Sequence, residues 1–144
     1  MNRIKINLPD HFQFYVDIPI RITDLNYGGH VGNDVFLSLI HEARQQFLIK
    51  HGYTELSFGG VGLIMADVAV EYKKELNHGD IIRISVCAAD FDKLGFDLFY
   101  KIEVIQTEDL VLAGKAKTGM ICYDYSAKKK AHIPEEALQK LLTN

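Results

Sequence analysis

The residues best suited to chemistry in this 144-residue chain are gathered between Arg21 and Glu42. Asp24, Asn26 and His30 lie in a Gly-rich segment, Leu25-Asn26-Tyr27-Gly28-Gly29-His30-Val31-Gly32-Asn33-Asp34, that runs into a strongly apolar stretch. A carboxylate or an imidazole there can take a proton from water, and the ordinary pKa of imidazole already suits the task near neutral pH. Asn26 cannot act as a base, but its amide can orient a water or bond a carbonyl. If a helix starts at about Asn33, its first backbone N–H groups are unpaired and its N-terminus carries partial positive charge, a setting for a developing oxyanion. Asp67 is a further acidic candidate: it stands among apolar residues in Ile64-Met65-Ala66-Asp67-Val68, where a carboxylate must be paired, exposed or functional.

Other chemistries find little support. His11, His41, His51, His78 and His132 are scattered, and His41-Glu42 lacks the H-E-x-x-H spacing that sets two ligands on one helix face, so no metal site is expected. Ser38 and Ser57 lack the G-x-S-x-G context of a serine hydrolase. Gly28-Gly29-x-x-Gly32 is not the dinucleotide fingerprint. Cys87 and Cys122 have neither C-x-x-C nor metal-ligand spacing and read as reduced core residues.

The elements that must position these groups follow from patterning. Phe12 to Ile22 alternates and carries aromatic and β-branched residues, which predicts a first strand. Val35, Phe36, Leu37, Leu39, Ile40, Ala43, Phe47 and Leu48 then fill more than one stripe of a helix running from about Asn33 to Lys50–Gly52. A helix so apolar must be wrapped on several sides. After Gly59-Gly60 the chain turns β-like from Val61 to Lys74, then over Ile81–Phe91, Phe96–Gln106 and Leu110–Tyr125, with short turns that predict an antiparallel meander. Pro134-Glu135-Glu136 with Leu138, Leu141 and Leu142 predicts a final amphipathic helix. The expected class is α+β: one domain over residues 1–144, a long central helix packed on an antiparallel sheet of about five strands. One such sheet covers a single side of the helix, so a homodimer at least is expected.

Composition sets outer bounds. Hydrophobic residues make up 48% and charged residues 24%, values of an ordinary globular chain. The net charge of −3 gives no general attraction to nucleic acid. No apolar run nears the ~20 residues that span a bilayer, and the polar start MNRIKINLPDHF lacks the apolar region of a signal peptide, which points to the cytoplasm.

The segment Arg21-x-x-Asp24-x-Asn26-x-x-Gly29-His30-Val31-Gly32-Asn33, followed by Phe36-Leu37 and Glu42-Ala43-Arg44, resembles the hotdog-fold acyl-CoA thioesterases of the 4-hydroxybenzoyl-CoA thioesterase type. Val70-Glu71-Tyr72 and Gly79-Asp80 look similar too, so the resemblance runs from about Phe12 to Tyr125. It implies a helix wrapped by a continuous dimeric sheet, dimers that can pair into tetramers, and acyl-thioester sites at subunit interfaces. It also implies an acyl-CoA substrate of small to medium size, or an acyl carrier protein thioester, and no cofactor beyond the coenzyme A of the substrate.

Two positions depart from the family pattern R-x-x-D-x-D-x-x-G-H-V-N-N. Asn26 replaces the second Asp, the nucleophile or base of the best-known branch, and Gly32 replaces the first Asn. The base is therefore expected elsewhere: at His30, which related plant acyl-ACP thioesterases resemble in using a His at this position, at Asp67, or at Asp24, whose simpler role is to brace the loop. Glu42 reads as a structural partner of Arg44. Tyr27, Gly29, Val31, Gly32, Asn33 and Asp34 are the expected substrate-binding residues, with Phe12, Phe14 and Phe58 as further walls for an acyl chain. Lys128-Lys129-Lys130 would meet coenzyme A phosphates or simply solvent. A non-catalytic acyl-thioester binder is the first alternative. An enoyl-CoA hydratase is the second, since Asp24-x-Asn26 before His30 loosely resembles a D-x-N-P-x-H element, without its Pro and with the His one residue late.

Overall fold

The computed structural model describes residues 1–143. Strand β1 (Phe14–Pro19) leads to a 3-10 turn (Ile22–Asp24), then helix α1 (Asn33–Lys50), strands β2 (Gly62–Tyr72), β3 (Ile81–Ala89), β4 (Gly95–Ile105) and β5 (Leu110–Asp124), a two-residue strand β6 (Lys129–Lys130) and helix α2 (Glu135–Leu142). The sheet order is β1-β3-β4-β5-β2, with β6 paired to the end of β5, and every pairing is antiparallel. The meander expected from the short turns is β3-β4-β5. The sheet therefore has the five long strands anticipated from patterning, plus β6, which the sequence reading did not foresee.

Helix α1 lies on one face of this sheet and buries Phe36, Leu39, Ile40, Ala43, Phe47 and Leu48 against Ile82, Ile84, Leu98, Ile102 and Ala116. Each buried Leu, Ile or Phe contributes about 1.5–3 kcal/mol by leaving water. Within one chain the wrapping is incomplete: Leu37 and Ile49 are exposed, whereas Arg44 is buried with the apolar residues. The opposite face of the sheet is crossed by the N-terminal arm. There Ile6 is buried, its N–H donates to Glu71 Oε1 at 3.0 Å, and Lys101 sits over the Phe12 ring. The alternation Ile4-x-Ile6-x-Leu8 inside the polar lead-in was the available signal.

Most of the expected strand ends move by one to three residues, and the packed face of the last helix differs from the expected one. The first strand stops at Pro19 rather than Ile22, because Asp24 accepts a hydrogen bond from the Arg21 N–H and draws the chain into the 3-10 turn. Helix α2 buries Ala137 and Leu141, with Leu138 half-buried, and leaves Leu142 exposed rather than on the packed face.

Candidate functional site

The loop between the 3-10 turn and α1 is built around Asn26. Its N–H donates to the His30 carbonyl at 2.8 Å and its carbonyl accepts from Gly29 N–H at 3.1 Å. Its side-chain Oδ1 accepts from Gly28 N–H at 2.8 Å and from His30 N–H at 3.4 Å, an Asx turn. Gly29 takes φ +84°, a conformation that costs a residue with a Cβ. The bridge Leu25–Val31 closes the base of the loop. Oδ1 is thus spent on holding the loop, while Nδ2 has no protein partner among the described residues and is free to donate.

Asp24 sits behind this loop and is buried, with 4% of its surface exposed. Its carboxylate accepts the Arg21 N–H at 2.8 Å and the Arg21 guanidinium at 3.2 and 3.3 Å. Burial pushes its pKa up, but the Arg21 backbone and side-chain hydrogen bonds and charge outweigh it, and the group titrates below its ordinary value. That is the bracing arrangement expected of the simpler reading.

Helix α1 starts from Gly32, whose carbonyl takes the first helical bond from Phe36 N–H at 2.9 Å, with no side chain capping the end. A Cβ at Gly32 would meet Asp34 Oδ1 at 2.9 Å, so the residue that departs from the family pattern fits a tight approach. The N–H groups of Asn33, Asp34 and Val35 have no protein acceptor among the described residues.

In front of this helix end lies a cleft of about 490 Å³, lined by Asn26, His30, Val31, Gly32, Asn33 and Phe36 on one side and by Tyr72 to Leu76 on the other. The second wall is anchored at both ends. Lys73 and Lys74 N–H both donate to the Ala113 carbonyl, and the buried Leu76 gives its carbonyl to Val31 N–H at 3.1 Å. Phe36 and Tyr72 meet edge to face at 5.1 Å and form the apolar part of the cleft. Lys73 pairs with Glu71, whereas Lys74 has no carboxylate partner among the described residues. Lys74, Glu75 and Tyr72 were missed as cleft residues from the sequence. For Tyr72 the available signal was its place in the Val70-Glu71-Tyr72 segment that resembles the family; for Lys74 and Glu75 it was a charged run, Lys73-Lys74-Glu75, at the end of a strand.

The cleft therefore gathers Asn26, His30, Val31, Gly32 and Asn33. Tyr27 is fully exposed, Gly29 shapes the turn and Asp34 points back over Gly32; these three do not line it. Asp67 is elsewhere. The register of β2 against β5 shifts between Met65 and Asp67, and the carboxylate Oδ1 accepts from Lys117 Nζ at 2.9 Å and Gly119 N–H at 3.0 Å. The Lys117 hydrogen bond holds Asp67 below its ordinary pKa. Its carboxylate lines a separate cleft with Asp90, Asp97 and Lys130. Glu42 accepts from Gln46 at 2.7 Å and is not the partner of Arg44. Arg44 instead donates to Glu55 at 3.1 Å and to the Tyr100 hydroxyl at 3.4 Å, Tyr100 meets Thr118 at 2.7 Å, and His41 joins at Glu55. Phe14 and Phe58 pack within aromatic contacts of the core.

An antiparallel sheet curved around one long helix, with a cleft at the helix N-terminus, defines a hotdog-fold domain. The model of the thioesterase-like superfamily matches residues 20–141, and the chain belongs to that superfamily. It is 27% identical over 131 residues to the 1,4-dihydroxy-2-naphthoyl-CoA hydrolase of Nostoc punctiforme, covering 87% of this chain and 84% of that protein. Among solved structures it is similar to a 1,4-dihydroxy-2-naphthoyl-CoA thioesterase from Synechocystis, with a TM-score of 0.78, 21% identity, and 90% and 95% of the two chains covered. It is also similar to an Asp-to-Asn variant of 4-hydroxybenzoyl-CoA thioesterase complexed with 4-hydroxybenzoyl-CoA, with a TM-score of 0.81, 14% identity, and 89% and 97% covered.

Proposed function

We propose that this protein hydrolyses the thioester of a small-to-medium acyl-CoA, aromatic acyl groups included, with His30 as the general base. The observation that carries the reading is that His30, Asn26 and the uncapped start of α1 line one cleft. Water gives a proton to the His30 imidazole as its oxygen bonds to the thioester carbon. The carbonyl oxygen becomes an oxyanion, stabilised by the α1 N–H groups and Asn26 Nδ2. Collapse breaks the C–S bond, the imidazolium returns the proton to the departing thiolate, and free acid and coenzyme A leave. Phe36 and Tyr72 supply apolar contacts, and Lys74 meets a phosphate of the carrier as a point charge.

A homodimer belongs to the same reading. Strand β2 is an open sheet edge with Met65, Val68 and Tyr72 exposed, and Leu37 of α1 is exposed as well, so a second copy would extend the sheet and cover the helix. Pairing of dimers into tetramers is compatible with it. The free thiols Cys87 and Cys122 suit the reducing cytoplasm.

Asn26 motivates one competing reading, a binder that holds acyl thioesters without turnover. Thiol release from short, branched, long and aromatic acyl-CoAs, and from acyl carrier protein thioesters, separates the two. The proposal expects turnover by the wild type and a loss of ~10²-fold or more in His30→Ala. An inert wild type that binds acyl-CoA, with activity appearing in Asn26→Asp, would establish the binder.

A further inference from the structure

The His30 ring has a neighbour that nothing in the loop motif announces. Its Nδ1 is shielded from solvent and makes no well-formed hydrogen bond, while Glu75 Oε2 stands 3.4 Å away. The approach follows from the backbone. Val31 N–H donates to the Leu76 carbonyl, and Leu76 is pinned in the core, so the residues just before each, His30 and Glu75, face each other across the same clasp. Glu75 makes no other polar contact among the described residues, and its side chain is 71% exposed, so it is free to close the remaining distance by rotation. Nε2 of His30 has no protein partner among the described residues either.

We infer that Glu75 is the positioning residue of His30. A carboxylate facing Nδ1 requires that nitrogen to carry the proton, which leaves Nε2 with its lone pair as the basic atom. It also stabilises the imidazolium formed when water is deprotonated, and it fixes the ring against rotation. In this protein the carboxylate missing at Asn26 is thus not replaced by another carboxylate base. An imidazole takes the proton, and a carboxylate from the opposite wall of the cleft orients it. This inference rests on the thioesterase reading for its kinetics, but the pair itself has a spectroscopic test that needs no substrate.

The test combines ¹⁵N chemical shifts of the His30 ring with steady-state thiol release, in wild type, Glu75→Ala and Glu75→Gln. Glu75 is exposed, so neither substitution threatens folding, and circular dichroism confirms it. In the wild type at a pH where the ring is neutral, the shifts are expected to report the Nδ1–H tautomer. Glu75→Ala should lose that preference, with kcat falling about 10-fold or more and KM staying within about 3-fold. Glu75→Gln, which keeps an acceptor without the charge, should fall between. Identical tautomer populations in wild type and Glu75→Ala overturn the inference, whatever the kinetics. A tautomer change with no thiol release by the wild type keeps the pair and removes the thioesterase reading instead.

Discussion

Two polar clusters touch helix α1, and they differ in one decisive respect. At its middle, Arg44, Glu55, Tyr100, Thr118 and His41 form a network in which Arg44, Tyr100 and Thr118 are buried and every member has a protein partner. Burial raises the pKa of the Tyr100 phenol, so it stays protonated and serves as a hydrogen-bonding strut from helix to sheet. At the N-terminus of the helix, Asn26 Nδ2, the α1 N–H groups and His30 Nε2 have no protein partner among the described residues and line an open cleft. The first cluster has spent its hydrogen-bonding capacity on the fold. The second keeps donors and a base in reserve for something that arrives from outside.

Breaking each cluster should therefore damage different properties. The largest expected effect is that His30→Ala loses about 10²–10⁴-fold in kcat while its melting temperature stays near that of the wild type. Arg44→Ala should do the reverse, costing about 2–4 kcal/mol of stability. That is the range for breaking a buried ion pair, lowered because Glu55 is partly exposed; urea unfolding measures it.

Asp24 sharpens the contrast, because it braces the loop that carries Asn26 and His30 yet is internally satisfied like the Arg44 network. Asp24→Asn weakens its hydrogen bonds and should cost about 1–3 kcal/mol. Its folded pKa lies below the ordinary value of 3.8, so its stabilisation is complete above that value and is lost as pH falls through the lower folded one. The wild type should thus lose stability below about pH 3.8, and Asp24→Asn should show a smaller loss there, the remainder coming from Asp67 and Glu71, whose carboxylates are also held below their ordinary values. A smaller effect is expected at the cleft rim: Lys74→Ala should raise KM by about 2–10-fold for coenzyme A esters but not for the phosphate-free pantetheine esters, as befits one exposed charge contact. Smallest of all, Asp67→Asn should change kcat by less than about 3-fold, since that carboxylate is paired with Lys117 and lines another cleft.

The contrast also shows why the sequence was informative in some places and silent in others. Local patterns marked α1 from Asn33 to Lys50 and the meander β3-β4-β5, because period and turn residues lie along the chain itself. They marked the loop around Asn26 and His30 for the same reason. Arg44 was paired in prospect with Glu42, two positions away, but residues at that spacing do not face each other on a helix, and its partner came from the loop after the helix. Glu75 was invisible because its meeting with His30 depends on one backbone clasp between distant segments, Val31 to Leu76. Asp67 drew attention by its apolar neighbours, and only the register shift in β2 reveals how it reaches Lys117.

Chemical rescue tests the central claim most directly. His30→Ala should be nearly inactive against an aromatic acyl-CoA, and added imidazole should restore thiol release in proportion to its free-base concentration, as a small base occupying the emptied place. If His30→Ala keeps activity within a few-fold of the wild type while Asp67→Asn or Asp24→Asn abolishes it, the base is a carboxylate and this account of the site is wrong.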